Sequence, residues 1–374
     1  MAPTSTPTTW LRWSSAALLA IALAGCGAPS ASAPTSVEAP AATAAATSTA
    51  ADLAPVKDYL VERSGELSSA TAALKTHSDA YYALAKQANF DYAALWSTNR
   101  AAVIAVIQDA RAAWVVASPG YERIEGIVAG VPSLAAFDVV IDAGTSGTDG
   151  GENVAPVDLA LPNGRMLAKP GNLFGVTEST LWGTFPEYTI KQVQADFDAD
   201  GSIGFGEALP DANVLKAGVD TLHEQTVALG AAAQAWQPTE QDAFTALVTM
   251  VPTMTEYFNS WKSSRFVAGG SSTQRDFVAI SRLADIQDIL GSLQVVHRGV
   301  SPVISQVDPA QDAQIGQGLS ELKAFVADVY AKERRGERFT AEDADLLGSE
   351  AQSRADTITG HVTQAAAKLN IALQ

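Results

Sequence analysis

Residue types that build thiolate and imidazole sites are scarce in this chain. Its single cysteine is Cys26, so the chain forms no internal disulfide and no site built of several thiolates. The four histidines, none of them in an H-E-x-x-H or H-x-x-E pattern, are His77, His223, His297 and His361. A zinc peptidase needs about three protein ligands and a general base, and no G-x-S-x-G elbow offers a serine nucleophile instead. The sequence therefore does not favour a hydrolase.

Positive charge is also in short supply. The chain has 24 Lys and Arg against 41 Asp and Glu, a net charge of −17, and its pI is near 4.6. A protein this acidic repels the phosphates of nucleic acids and of anionic membrane surfaces. We therefore expect no nucleic-acid partner. An acidic surface raises the local concentration of cations without identifying one.

The N-terminal apolar run is too short to span a membrane. It covers Ala16 to Ala24. Its last two residues begin Leu23-Ala24-Gly25-Cys26, the pattern of a lipobox. This pattern predicts a lipoprotein signal peptide over residues 1–26, with Cys26 lipidated as the mature N-terminus. Residues 27–50 are nearly all Ala, Ser, Thr and Pro, which predicts a disordered tether. We expect a lipid-anchored protein of the cell envelope, on the outer side of the cytoplasmic membrane or in the periplasm, with its folded domain over residues 51–374.

No stretch alternates apolar and polar residues for long enough to build a sheet. Apolar residues instead recur three, four or seven apart, as they do on the buried face of a helix. The predicted helices cover about 55–84, 91–117, 121–128, 175–195, 211–235, 240–265, 273–297, 310–332 and 340–371. Helix-start signals stand at Asp211, Thr239 with Asp242, Ser272, Asp308, and Thr340 with Asp343. Residues 143–172, rich in Gly and Pro, are expected to form a long irregular excursion. The pattern predicts an all-α fold, most simply two packed helical bundles.

Residues 196–207 (DFDADGSIGFGE) have the pattern of an EF-hand calcium loop. Acids stand at loop positions one, three and five, glycine at six, an aliphatic residue at eight and glutamate at twelve. Ca²⁺ takes about six to eight oxygen ligands, and this spacing is suited to supplying them. The predicted ligand positions are Asp196, Asp198, Asp200, Ser202 through its carbonyl, Gly204 through a water, and Glu207 with both oxygens. We expect Glu207 to begin the next helix and Ile203 to point inward.

The loop also departs from a calcium sensor. Pro210 follows Glu207 by three residues, where it would interrupt an exiting helix, and Ala195 precedes the loop where a large apolar residue is usual. No second loop of this pattern is found to pair with it. A lone loop in a large domain indicates a structural clamp, with a dissociation constant of roughly 10⁻⁴–10⁻³ M.

Several segments, in this order, resemble the imelysin-like family, which includes periplasmic iron-uptake lipoproteins of the Efe type. They are YERIEG at 121–126, FDVVID at 137–142, LFGVTESTLW at 173–182, DIQDI at 285–289, and the helix that continues from SPVI at 301–304. The resemblance covers about 52–374. It implies an all-α double-bundle fold, an envelope location and a role in metal or haem-iron uptake, with a permease as the implied partner. The family is also classed with peptidases.

The match to the family motifs is incomplete. In the family's G-x-H-x-x-E motif, Glu178 matches the glutamate, but Gly175 stands in place of the histidine and Leu173 in place of the glycine. Leu283 stands where a histidine often precedes the DIQDI-like segment. The acids that match the family positions, and that the resemblance implies as a second metal pocket, are Glu122, Glu125, Asp142, Glu178 and Asp285.

An all-carboxylate pocket favours hard cations such as Ca²⁺, Mg²⁺, Mn²⁺ or Fe³⁺. Two readings stay open on the sequence alone. In the first, the protein binds Ca²⁺ and captures iron for uptake. In the second, Ca²⁺ only rigidifies a structural or adhesion-type envelope protein, and these acids face solvent on separate helices.

Overall fold

The computed structural model describes residues 50–144 and 158–373, and most of these residues are helical. The predicted signal peptide, Cys26 and all of the predicted tether but Ala50 lie outside the described residues. The helices are α1 (Ala54–Gln87), α2 (Tyr92–Val128), α3 (Ala135–Asp138), α4 (Leu173–Trp182), α5 (Ala212–Ala235), α6 (Glu240–Met250), α7 (Met254–Ser263), α8 (Arg265–Ala268), α9 (Arg282–Val307), α10 (Pro309–Arg334) and α11 (Ala341–Lys368). A π-helical turn, Val139–Ala143, follows α3. The predicted all-α class is confirmed.

Most of the predicted helix starts are real caps. The side chains of Asp211, Asp308, Thr239 and Thr340 each accept a hydrogen bond from a backbone N–H of the first turn, and the two threonines form capping boxes with acids three residues on. The start at Ser272 is wrong, because α9 begins ten residues later with Ser281 as its cap. Residues 272–281 instead form an irregular segment, which becomes important at the buried site described below.

The helices pack around one large core, with a small second apolar cluster where the hairpin meets α4 and α5. α1 packs against α2 and α5, while α9 packs against α10, α2 and α6, and α11 lies against α7 and α10. Within the described residues, α2 alone has the length and apolar composition of a membrane-crossing helix, yet it runs between α1 and α9 with much of its surface buried. Its interior position brings α2 acids into contact with α9.

Two glycines allow elements to approach α2 and its C-terminal end closely. A Cβ on Gly126 would contact the Ser292 hydroxyl of α9 and lie 3.1 Å from the Ile289 carbonyl, and one on Gly130, just after α2, would lie 2.7 Å from the Ala246 Cα of α6. The contact at Gly130 is with backbone and is shorter than real Cβ atoms show, so glycine is required there, whereas at Gly126 it leaves room for the Ser292 side chain.

Three sequence expectations about the chain between the helices are corrected. The helix predicted over 175–195 ends at Trp182, because Gly183 adopts a left-handed conformation (φ 69°) that closes α4. The helices predicted over 91–117 and 121–128 form the single helix α2, with Pro119 inside it. The described part of the 143–172 excursion carries a short antiparallel hairpin, β1 (Leu159–Ala160) paired with β2 (Met166–Leu167).

Candidate metal sites

The 196–207 loop is not flanked by helices. The chain on both sides of it is irregular, and Thr189 pairs with Pro210 in an isolated β-bridge that closes its base. Glu207 therefore does not begin a helix, and Ile203 is 48% exposed and does not point inward. The physical reason is local: Gly206 has a positive φ (83°) and Pro210 lacks an N–H, so a helix cannot start between them.

Loop residues nevertheless fold around the predicted ligand positions. One oxygen from each of Asp196, Asp198 and Glu207 lies within 4.8 Å of the other two. The Gly201 amide donates to Asp196 Oδ2 (3.0 Å) and the Ser202 amide to Asp200 Oδ1 (2.7 Å). Asp196 Oδ1 is buried without a hydrogen-bond partner. These hydrogen bonds hold the acids in a turn that suits a hard cation.

Two arginines of α2 fasten the loop to the helical body. Arg111 donates to the carbonyls of Leu181 (2.7 Å) and Gly206, so that it ties the end of α4 to the end of the loop. Arg100 donates to the carbonyl of Asp196. Both ends of the loop are thereby fixed to one rigid helix.

A second group of acids converges deep in the core. Glu122 and Glu125 come from consecutive turns of one face of α2, Asp142 from the π-helical turn and Asp285 from the first turn of α9. All four are at most 4% exposed. One oxygen from each of Glu122, Glu125 and Asp142 lies within 4.8 Å of the other two. We call these four residues the acid cluster.

The guanidinium of Arg282 lies at the centre of the acid cluster. Its nitrogens are 3.2 Å from Glu122 Oε2, 3.4 Å from Asp285 Oδ2, 3.6 Å from Asp142 Oδ2 and 4.0 Å from Glu125 Oε1. The aromatic rings of two further residues pack on it, with centroids 4.7 Å away for Tyr257 and 4.2 Å for Phe277. One cation thus faces four buried carboxyl groups.

Several carboxyl oxygens of the acid cluster have no partner. Glu122 Oε1, Glu125 Oε2 and Asp142 Oδ1 are buried and accept no hydrogen bond, whereas Glu125 Oε1 accepts one from the Tyr257 hydroxyl (2.8 Å). Unpaired buried carboxylate oxygens are costly. Burial, together with the neighbouring acids, raises the pKa of Glu122 well above its usual range. Burial also raises the pKa of Asp142, and raises that of Asp285 to about 7.

A further buried acid, Asp138, lies near the acid cluster. Asp138, on α3, accepts a hydrogen bond from the buried Tyr121 hydroxyl (2.6 Å), and burial raises its pKa to about 7.

An open cleft of about 490 Å³ reaches the cluster at Asp285 from the surface. Asp288 and Glu333 also line this cleft, together with Arg123, which pairs with Asp288 at 3.6 Å, and Arg334. The cleft therefore offers a charged approach of mixed sign.

Glu178 is not part of the acid cluster. Its carboxylate accepts hydrogen bonds from three consecutive backbone amides of the irregular segment before α9: Phe277 (2.7 Å), Val278 (3.2 Å) and Ala279 (2.9 Å). Burial raises the pKa of Glu178 to about 8, against the opposing effect of the amide donors. Four of the five acids named from the sequence therefore come together, and Glu178 holds a segment of backbone instead.

Gly175, at the position of the family histidine, has residues outside the acid cluster as its nearest neighbours. A Cβ there would lie 3.0 Å from Asp276 Oδ2 and 3.0 Å from Asn172 Oδ1. In the described residues, neither of the two acid groups that could hold a metal ion contains a histidine. His223 hydrogen-bonds Thr71 (3.0 Å) and His297 bonds Asp312 (2.9 Å), which are contacts between helices.

The sequence alone did not identify Arg282 or its two aromatic neighbours, Tyr257 and Phe277, as site residues. A signal was present, because Arg282 precedes Asp285 by three residues and four acids gathered in a core require a counter-charge. Tyr257 and Phe277 gave no such signal, since aromatic residues at helical spacing are ordinary core residues.

Comparison with known proteins assigns the chain to a family. The model of the family described as imelysin, peptidase M75, matches residues 56–367, which is most of the chain and includes both acid groups. A search of curated proteins returns no match. Members of the family are generally extracytoplasmic proteins of the cell envelope. With its all-α fold and a family match from α1 to α11, the chain belongs to the imelysin family.

Proposed function

We propose that this protein is a metal-binding component of the cell envelope that takes up a hard cation, iron, at the acid cluster, and that holds Ca²⁺ in its 196–207 loop. Two observations carry the proposal. One oxygen from each of Glu122, Glu125 and Asp142 lies within 4.8 Å of the other two, and each of these buried residues has an oxygen that accepts no hydrogen bond.

The charge balance of the acid cluster supports a cation there. Four carboxylates and one guanidinium leave an excess of negative charge when all are ionised, and burial makes that excess expensive. Protons relieve it at low pH, which is consistent with the raised pKa values of Glu122 and Asp142. A metal cation relieves it at neutral pH and also satisfies the unpartnered oxygens.

The donor set indicates the class of metal. Only carboxylate and phenol oxygens converge on the cluster in the described residues, with no histidine or cysteine. Oxygen-only sites favour hard ions such as Fe³⁺, Mn²⁺, Mg²⁺ and Ca²⁺ over Zn²⁺ or Cu⁺. Membership of the imelysin family favours iron within this class, and an uptake permease is then the expected partner.

The calcium role rests on the loop's sequence pattern and on its contacts. Asp196, Asp198 and Glu207 converge, and Arg111 ties the loop's end to α2 and α4. Ca²⁺ held there would join the acids without moving the helices, and so acts as a clamp rather than a switch. The lipobox ending at Cys26 supports attachment to a membrane by a lipid anchor.

Equilibrium dialysis of the purified protein against Fe³⁺-citrate, with metal analysis of the retained protein, tests the proposal. Wild type should retain one iron, and Glu122→Gln and Asp142→Asn should lose it, because each replaces a carboxylate that has one unpartnered oxygen by a neutral amide of the same shape. Glu187→Gln, an exposed acid on the surface, serves as the matched control and should retain iron. Equal iron content in all four proteins would overturn the proposal.

A scaffold role without iron is the second candidate. It is favoured by Arg282, which already supplies one cation to the acid cluster, and by the fastening of the loop to α2. The same dialysis separates the two candidates, because a calcium-rigidified scaffold retains Ca²⁺ but no iron.

A further inference from the structure

A cleft of about 640 Å³ opens between the second half of the 196–207 loop and the segment that contains α8 and the irregular chain after it. It is separate from the acid cluster, since none of the four cluster residues lines it. Its volume falls in the range of about 300–1,000 Å³ typical of sites for small organic molecules.

Apolar side chains and the backbone of glycine residues form much of the lining of this cleft. The apolar lining consists of Trp182, Ile203, Phe205 and Val278. Five glycines also line it, at 183, 204, 206, 269 and 270, where a ligand can approach the backbone. Ile203 and Phe205 are 48% and 47% exposed, unusual for large apolar residues unless they serve a contact.

Two arginines face this surface. The guanidinium of Arg265 stacks on the Phe205 ring, 3.5 Å from its centroid, and is half-buried. Arg338, an exposed residue, also lines the cleft. Neither arginine forms an ion pair or a hydrogen bond within the part of the chain that the structure describes, although most of the arginines described there do.

The acid that lines the cleft does not neutralise them. Glu207 Oε1 accepts hydrogen bonds from the amides of Phe197 (2.6 Å) and Asp198 (3.3 Å), and its other oxygen accepts one from Gly204. The negative charge of Glu207 thus interacts with backbone amides of the loop. A guanidinium group binds carboxylate oxygens in pairs and stacks on aromatic faces. The unpaired Arg265 on the Phe205 ring, with Arg338 in the same lining, is therefore suited to a planar anion.

We propose that this cleft binds an aromatic carboxylate, whose carboxylate contacts Arg265 and Arg338 and whose ring lies against Trp182 and Phe205. This site goes beyond the metal-binding function, since its contacts come from different residues. A chelator in the assay buffer removes any metal that could bridge a carboxylate to the loop.

Calorimetric titration of the purified protein with 2-naphthoate in the presence of chelator tests this site. Arg265→Gln and Arg338→Gln should each weaken binding about tenfold or more, because each removes one charged hydrogen-bonding partner. Arg335→Gln, which removes the same charge from an exposed position three residues from Arg338, should bind as wild type does. Circular dichroism establishes that each variant folds.

Two matched ligands identify what is recognised. 2-Naphthylmethanol keeps the ring and lacks the charge, while acetate keeps the carboxylate and lacks the ring, so both should bind at least about tenfold more weakly than 2-naphthoate. Equal binding of naphthoate and naphthylmethanol would overturn the proposal. So would wild-type affinity in both arginine variants, or the absence of measurable heat with naphthoate.

Discussion

Glu178 and Phe277 are joined by a hydrogen bond of 2.7 Å from the Phe277 amide to Glu178 Oε2, and Phe277 has a left-handed backbone (φ 53°). The same residue places its ring 4.2 Å from the guanidinium carbon of Arg282. Glu178 thereby holds in place the residue that covers one face of the arginine at the centre of the acid cluster. A strained φ at a bulky residue persists only when its surroundings hold it.

The titration of Glu178 should be visible in the pH dependence of stability. Its pKa is about 8 in the folded protein and near 4.5 in the unfolded chain. Between these pH values the native state retains a proton that the unfolded state has released, so the free energy of unfolding should fall as pH rises from 4.5 to 8. The slope for one group reaches about 1.4 kcal/mol per pH unit. Urea denaturation of metal-free protein across this range measures it.

Glu178→Gln is the control for that slope. It keeps the shape of the side chain and removes its titration, so the slope should become shallower without vanishing, since Asp138 and Asp285 have pKa values raised in the same direction. A free energy of unfolding that increases from pH 4.5 to 8 in metal-free wild type would contradict the account.

Removal of the central guanidinium should be costly. Arg282→Gln leaves buried carboxylates without their cation, and breaking a buried ion pair in this way costs about 3–5 kcal/mol. Arg123→Gln is the matched comparison, because Arg123 pairs with Asp288 at 3.6 Å in a partly exposed contact that is worth at most about 1 kcal/mol. Chemical denaturation of both variants near neutral pH measures the difference. Equal stability of the two would show that Arg282 does not balance the acids.

The calcium loop should bind one Ca²⁺ with a dissociation constant of roughly 10⁻⁴–10⁻³ M. Asp196→Asn should abolish the calorimetric signal, because the change removes the charge of a predicted ligand whose buried Oδ1 accepts no hydrogen bond. Asp91→Asn, a helix cap outside the loop, should leave calcium binding unchanged. Heat of calcium binding that survives Asp196→Asn would place the ion elsewhere.

The close approach just after α2 can be tested by adding a methyl group. Gly130→Ala places a Cβ 2.7 Å from the Ala246 backbone and should destabilise the protein by about 1–3 kcal/mol through overpacking. Gly65→Ala, in the exposed middle of α1 with no atom within 4 Å of the new Cβ, should be neutral or stabilising by about 0.5–1 kcal/mol. Thermal unfolding measures the difference. The melting temperature should fall for Gly130→Ala and stay the same or rise for Gly65→Ala.

The all-α fold could be predicted from the sequence because helical spacing and caps are local signals. Asp211, Thr239, Asp308 and Thr340 each hydrogen-bond within their own first turn, so the residues alone reveal them. Ser272 likewise accepts a local hydrogen bond, from the Gln274 amide (3.3 Å), yet no helix follows it. Its hydroxyl donates to the Ser263 carbonyl, and the chain after it is held by Glu178, 99 residues away from Phe277. No local pattern contains that information.

The acid cluster was only partly predictable for the same reason. Glu122 and Glu125 share a helical face, which spacing reveals, whereas the arrival of Asp142 and Asp285 beside them depends on how α2, the π-helical turn and α9 pack. The segment order of the family supplied those two positions. It also suggested Glu178 as a member, and in this chain that residue contacts backbone amides instead.

The most direct test of the account is a crystal structure of the protein with iron bound, measured at the iron absorption edge. The account predicts an anomalous difference peak among the carboxylates of Glu122, Glu125 and Asp142, with Ca²⁺ in the 196–207 loop giving no iron signal. An iron peak confined to the loop, or no peak in crystals grown with Fe³⁺-citrate, would contradict the assignment of the acid cluster as the iron site.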